Sequence, residues 1–272
     1  MPILDADDVS LCYEVSGEAD EAIVFVHAFP VSRTMWGPQM EALARTRRVV
    51  VYDCRGFGQS DAPSREEAYS QTRSVDDLKA VLRATSPNGA VICGLSMGGN
   101  IALELAQSHP DQIKGLILAS TGAGSDNPDE FRKRVNGWAD LALSDGIAAF
   151  AEMIMKVPVF AEYADRGESE RRWMYDAIIA NSAHGVAHTA RRVLGGRPTL
   201  YEWEDGLREL TVPTLVLAGE YDEPCCKMGA YLARTMPDAE FTVIPDVGHF
   251  MNLEAAAEFN AAVEDFVHEL KD

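Results

Sequence analysis

Apolar and polar positions divide the chain into an alternating first half, a purely helical stretch and an alternating end. Four short, almost continuously apolar runs, Ala22–Val26, Arg48–Tyr52, Ala90–Cys93 and Ile113–Ala119, read as buried strands. Segments near 35–44, 74–84 and 99–109, whose apolar residues recur at helical spacing, separate them. That alternation predicts an α/β fold, a mostly parallel sheet with helices on both faces. From about 125 to 205 the strand signal disappears, and Ala, Met, Trp, Arg and Glu recur at helix-like spacing. A small helical cap, residues 125–205, is therefore expected after the strand Ile113–Ala119. Strands resume at Thr214–Ala218 and Glu240–Ile244, and an amphipathic helix from about 255 to 270 closes the chain. With 272 residues, 47% of them hydrophobic, the chain can bury one large core. The expected organisation is one core domain, 1–124 and 206–272, carrying the 125–205 insertion.

The stretch with the most chemical content is Gly94-Leu95-Ser96-Met97-Gly98, where a strand gives way to a helix expected to begin near Gly99. A G-x-S-x-G match alone is weak, arising by chance in roughly one chain in ten of this length. Its setting strengthens it: on a tight strand-to-helix turn the serine hydroxyl is lifted clear of the sheet, and small residues two positions either side permit the turn. A serine attacks only when a histidine takes its proton, and the histidine needs a carboxylate to orient it. Asp222 follows the strand Thr214–Ala218, and His249 follows the strand Glu240–Ile244. All three residues thus sit after strand C-termini, the ligand-binding side of an open parallel sheet. Glu220, Glu223 and Asp246 are nearby carboxylates that could replace Asp222 as the acid.

The chain order Ser96, Asp222, His249 and the elbow resemble the α/β-hydrolase superfamily over nearly the whole chain. The likeness is to its esterase, 3-oxoadipate enol-lactonase and cofactor-free haloperoxidase/perhydrolase branch. His27-Ala28-Phe29-Pro30 resembles the family's His-Gly-x-Pro oxyanion loop, with Ala28 where glycine is commoner. The resemblance implies that the backbone N–H groups of Met97 and Phe29 bind an oxyanion and that His27 buttresses their loop. It favours Asp222 as the acid. It also implies that Asp53-Cys54-Arg55-Gly56-Phe57-Gly58-Gln59-Ser60 is a structural turn. The expected activity is hydrolysis of a small carboxylic ester or lactone through an acyl-enzyme, without cofactor or metal. Carbon–carbon hydrolysis of a vinylogous diketone, and a small-molecule receptor with slow turnover, are the alternatives. Trp138, Phe150, Met153, Met155, Phe160, Trp173 and Tyr175 of the insertion are candidates to line the pocket.

Charge and cysteine content narrow the partners. A formal charge of −19 disfavours nucleic acid and anionic membranes, and mildly disfavours highly anionic substrates unless an arginine of the cap reverses the local field. The N-terminal residues lack a basic segment followed by an apolar run, and no stretch reaches the length of a membrane span, so a cytoplasmic location is expected. Five scattered cysteines fit reduced thiols. His184 and His188 lie one helical turn apart without the glutamate of a zinc-hydrolase motif, His109 fits a helix C-terminus, and His268 fits a solvated helix face. Gly56 and Gly58 lack the third glycine of a dinucleotide fingerprint, and Pro63 interrupts the helix it would need. A homo-oligomer stays open.

Overall fold

A computed structural model describes residues 1–124 and 127–270. Its eight strands are β1 (Ile3–Ala6), β2 (Val9–Ser16), β3 (Ala22–Val26), β4 (Arg48–Tyr52), β5 (Ala90–Leu95), β6 (Ile113–Ala119), β7 (Thr214–Gly219) and β8 (Ala239–Ile244). They form one sheet in the order β1-β2-β4-β3-β5-β6-β7-β8. Every pair from β4 to β8 is parallel, and β1–β2 and β2–β4 are antiparallel. Strands β3, β5 and β7 are buried at every residue, which is why they read as continuous apolar runs. The edge strands differ: β1 exposes Ile3 and Asp5, and β8 is half exposed. Edge strands carry a weak sequence signal, so β1 and β2 were not legible as strands.

Helices α1 (Gly37–Leu43), α2 (Gln71–Thr85) and α3 (Met97–Ser108) alternate with the first strands. Between β6 and β7 the described chain is helical: α4 (Pro128–Ser144), α5 (Gly146–Ile154), α6 (Pro158–Ala164), α7 (Glu168–Ile179), α8 (Ala183–His188) and α9 (Glu204–Glu209). Helices therefore continue past the expected boundary at 205, and residues 125 and 126 of the expected insertion lie outside the described residues. The chain finishes with α10 (Glu223–Thr235), α11 (Met251–Glu254) and α12 (Ala256–Glu269). Two helix starts are earlier than expected. Ser70 caps α2 by accepting the Arg73 N–H at 3.1 Å, and α3 begins at Met97, not near Gly99, because Ser96 itself is the turn. Among the described residues no helix is long and apolar enough to cross a membrane.

Candidate active site

Parallel β5, β7 and β8 deliver their C-terminal loops to one edge of the sheet, and the three expected residues lie there. Ser96 has φ 57° and ψ −111°, a conformation that costs a non-glycine residue on the order of 1–3 kcal/mol. Its N–H donates to the Ala119 carbonyl at 2.9 Å, while its own carbonyl accepts the Asn100 N–H at 3.2 Å. A Cβ on Gly94 would lie 2.3 Å from the Gly98 backbone, and one on Gly98 would lie 2.1 Å from the Val26 carbonyl. Only glycine permits strand and helix to meet this closely.

Asp222 and His249 are buried, and Asp222 Oδ2 lies 2.6 Å from His249 Nδ1. The rival carboxylates are turned elsewhere. Glu220 accepts the Asp246 N–H at 3.0 Å, Asp246 accepts the Tyr221 hydroxyl at 3.0 Å, and Glu223 pairs with Lys227 at 2.9 Å. Burial pushes the Asp222 carboxyl upward, but the charge and hydrogen bond of His249, together with the Cys225 thiol, hold it below its ordinary range. Burial and the Asp222 charge push the Cys225 thiol the opposite way, so it stays protonated. Asp222, Cys225 and His249 are also the one group of potential metal ligands among the described residues, with ligand atoms within 4.8 Å of one another.

The loop carrying His249 is clamped by a residue that sequence reasoning missed. The Glu254 side chain is fully buried, and its carboxylate accepts the Gly248 N–H at 2.8 Å and the Phe250 N–H at 3.0 Å, one on each side of His249. Arg166 of the insertion reaches the same carboxylate at 2.8 Å. A carboxylate five residues after the histidine was the available signal.

On the opposite side lies the loop after β3. Neither the Phe29 N–H nor the Met97 N–H has a partner among the described residues. His27 is fully buried, its Nε2 accepting the Cys54 N–H at 2.9 Å, so that Nδ1 carries the proton and donates to the Ala28 carbonyl at 2.9 Å. Burial lowers the His27 pKa, keeping the ring neutral. Ala28 fits where glycine is commoner because its φ is not positive. The turn after β4 braces this loop from below. Asp53 accepts the N–H groups of Arg33 and Gln59, each at 2.9 Å, and pairs with the Arg33 guanidinium, while Arg55 grips Asp77 through Nε at 2.6 Å and Nη2 at 2.7 Å.

A cavity of about 700 Å³ is lined by Ser96, Met97, Phe29, Asp222 and His249. Of the pocket candidates it takes Trp138, stacked on Phe29 with centroids 6.2 Å apart, and Phe160, edge-on to His249. The others are corrected by their packing. Phe150 is fully buried behind Phe29, Trp173 packs edge-on against Tyr163, and Met153 lines a separate shallow groove beyond Trp138. Met155 and Tyr175 also lie off the cavity. Phe131, Asn100 and Arg197 line it without having been singled out.

The remaining histidines are engaged elsewhere or exposed. His188 Nε2 meets the Ser64 carbonyl at 3.0 Å and stacks on His184, His109 caps the end of α3, and His268 is exposed on α12. All five cysteines are free.

Comparison with known proteins agrees with this architecture. The chain belongs to the alpha/beta hydrolase fold family, whose pattern matches residues 21–256. It is 30% identical over 262 residues, 94% of each chain, to the putative 2-succinyl-6-hydroxy-2,4-cyclohexadiene-1-carboxylate synthase of Bacillus subtilis. It is 30% identical to a thermophilic esterase of Thermogutta terrifontis solved with malate bound, with a TM-score of 0.85 over 96% of this chain and 94% of that one. The enol-lactonase of Burkholderia xenovorans LB400 is 26% identical, with a TM-score of 0.87 over 98% of this chain and 100% of that one.

Proposed function

We propose that the protein is a serine hydrolase of small carboxylic esters or lactones, with Ser96 as nucleophile, His249 as base and Asp222 as the acid that orients it. The observation that carries this reading is a strained serine facing the same cavity as a buried Asp222–His249 pair and two unpartnered backbone N–H groups. His249 Nε2 takes the Ser96 proton as Oγ adds to the ester carbonyl, and Asp222 stabilises the imidazolium. The N–H groups of Met97 and Phe29 receive the oxyanion, each contributing on the order of 3 kcal/mol to barrier reduction. His249 then protonates the departing alkoxide, and the acyl group remains on Ser96. In the second half His249 draws a proton from water, hydroxide equivalent adds to the acyl carbon, and the Ser96 oxygen leaves with that proton. The insertion, 125–205, acts as the roof of this pocket through Trp138 and Phe160. The esterase and enol-lactonase relatives support the same chemistry.

Initial hydrolysis rates for a panel of p-nitrophenyl esters and lactones, wild type beside Ser96→Ala, test the reading. Turnover that disappears in Ser96→Ala is the expected result; turnover that survives overturns it. The Bacillus relative is named a synthase and not an esterase, which leaves room for a second reading in which the same three residues serve another reaction, carbon–carbon hydrolysis being the one to test. A wild type that leaves every ester intact but cleaves a vinylogous diketone selects that one.

A further inference from the structure

Among the described residues three arginines are buried, Arg33, Arg47 and Arg55, and each pairs with a carboxylate, as a desolvated guanidinium requires. Arg197 is half-buried rather than buried, and it has no such pair. It follows the helices of the insertion, lines the cavity, and forms no ion pair within 4 Å among the described residues. Its Nη1 donates to the carbonyls of Ala123 at 3.1 Å and Pro198 at 3.3 Å, and Nη2 to that of Gly122 at 3.5 Å. Its Nε, like those of Arg33 and Arg47, is buried without a partner among the described residues. Carbonyl dipoles hold the fork in place but do not neutralise it, and a buried N–H without a partner carries a desolvation cost.

The location is close to the nucleophile. The Gly122 carbonyl that receives Arg197 Nη2 also receives Asn100 Nδ2 at 3.4 Å, and that same Nδ2 bonds the Ser96 carbonyl at 3.1 Å. Burial lowers the Arg197 pKa only to about 10, with Glu104 opposing, so the group is a cation at neutral pH. Of the carboxylates lining the cavity, Asp222 is taken by His249, and Glu130, Glu162 and Glu223 are exposed, where water screens them. Arg134, exposed and stacked over Phe131 and Trp138, and Lys227, paired with Glu223, add further positive charge to the lining.

We infer that Arg197 is a specificity-determining residue for a substrate carboxylate: the preferred ester or lactone carries a free carboxylate that docks on this guanidinium while its ester carbonyl lies at Ser96. The inference rests on the serine-hydrolase reading above and names its substrate class. An arginine fork suits a planar two-oxygen partner, and a substrate carboxylate there supplies the close ion pair that Arg197 does not have among the described residues.

The test compares the p-nitrophenyl monoester of glutaric acid with p-nitrophenyl valerate, which has the same number of acyl carbons and no charge, on wild type and Arg197→Gln. Wild type is expected to prefer the monoester. Arg197→Gln is expected to lose about 10- to 100-fold in kcat/KM on the monoester, mostly through KM, and less than about threefold on the valerate ester, as for removal of one charge-assisted bond. Equal losses on both substrates would make Arg197 only a tether of the 122–124 loop and overturn the inference. Should Arg197→Gln fail to fold, wild-type inhibition decides: glutarate must inhibit valerate-ester turnover more strongly than valerate does, and parity overturns the inference. Ser96→Ala is run alongside, because turnover that survives there refutes the serine reading whatever Arg197 does. If wild type turns over neither ester, calorimetric titration with glutarate still decides for Arg197, through binding that Arg197→Gln abolishes or leaves intact.

Discussion

The loops at the strand ends and the helical insertion above them face the same cavity but are built differently. Three of the strand-end loops are fixed by hydrogen bonds with buried polar side chains: Glu254 accepts from the backbone around His249, His27 bonds the loop of Phe29, and Asp53 accepts from the turn beneath. Where the insertion packs against the strand-end loops at the cavity it does so through rings, Trp138 on Phe29 and Phe160 against His249 and Phe250. Directional bonds hold atoms to a fraction of an ångström, whereas ring packing tolerates substitution of similar volume. The lower region is suited to fixing reacting atoms and the upper one to setting which substrates enter. Changes below should therefore appear in kcat, and changes above in KM and substrate range.

Asp222→Asn gives the largest expected effect. The asparagine cannot stabilise an imidazolium and favours the wrong imidazole tautomer, so kcat on a neutral ester should fall by about 10⁴-fold with the fold retained. Steady-state kinetics and a thermal melt of the variant check both halves. A near-normal Asp222→Asn beside an inactive Glu220→Gln would move the acid to Glu220.

Glu254→Gln comes next. Its amide retains one acceptor for two backbone donors and loses the charge that meets Arg166, so the His249 loop is held on one side only. We expect kcat to fall about 10- to 100-fold with KM within threefold, from a lost buried charge-assisted bond of about 1.5–3 kcal/mol. Glu254→Asp, with a shorter reach, should recover little. If KM moves instead of kcat, Glu254 serves the pocket and not the histidine.

Trp138→Ala tests the upper region. Removing the ring that stacks on Phe29 should raise KM for aromatic or bulky esters about 10-fold, roughly 1.4 kcal/mol of lost apolar contact, while kcat stays within threefold. A kcat loss as large as that in Glu254→Gln would erase the distinction between the two regions.

The lower region was far more legible in the sequence than the upper. Parallel strands buried on both faces give continuous apolar runs, and the residues that must follow them, Gly94, Ser96, Gly98, Asp222 and His249, are chemically distinctive at fixed positions. The insertion gives only helical periodicity, which says that a ring is apolar-facing but not whether it faces a cavity or another helix. Trp138 and Phe160 met the cavity, while Phe150 and Trp173, of the same residue types, became packing. Glu254 and Arg197 were illegible for a different reason. Glu254 left only a short spacing from His249 that an ordinary helix glutamate would also show, and Arg197 acts on carbonyls some 75 residues away, which leaves no local pattern.

The smallest expected effect is a dependence of stability on pH that belongs to the lower region. Burial lowers the His27 pKa in the folded protein, so below its ordinary value of about 6.5 the unfolded chain takes a proton that the folded one refuses. His27 therefore supports the fold fully above that pH, and the support is lost as pH falls toward the folded pKa, by at most about 1.4 kcal/mol per pH unit. Denaturant unfolding at intervals between pH 7 and pH 5 should show this slope in wild type. In His27→Gln, less stable at pH 7 but with nothing to titrate at that position, the slope should be shallower by one proton's worth. An unchanged slope in the variant would mean that the loop of Phe29 opens to admit the proton, placing it with the adaptable upper region and not with the fixed lower one.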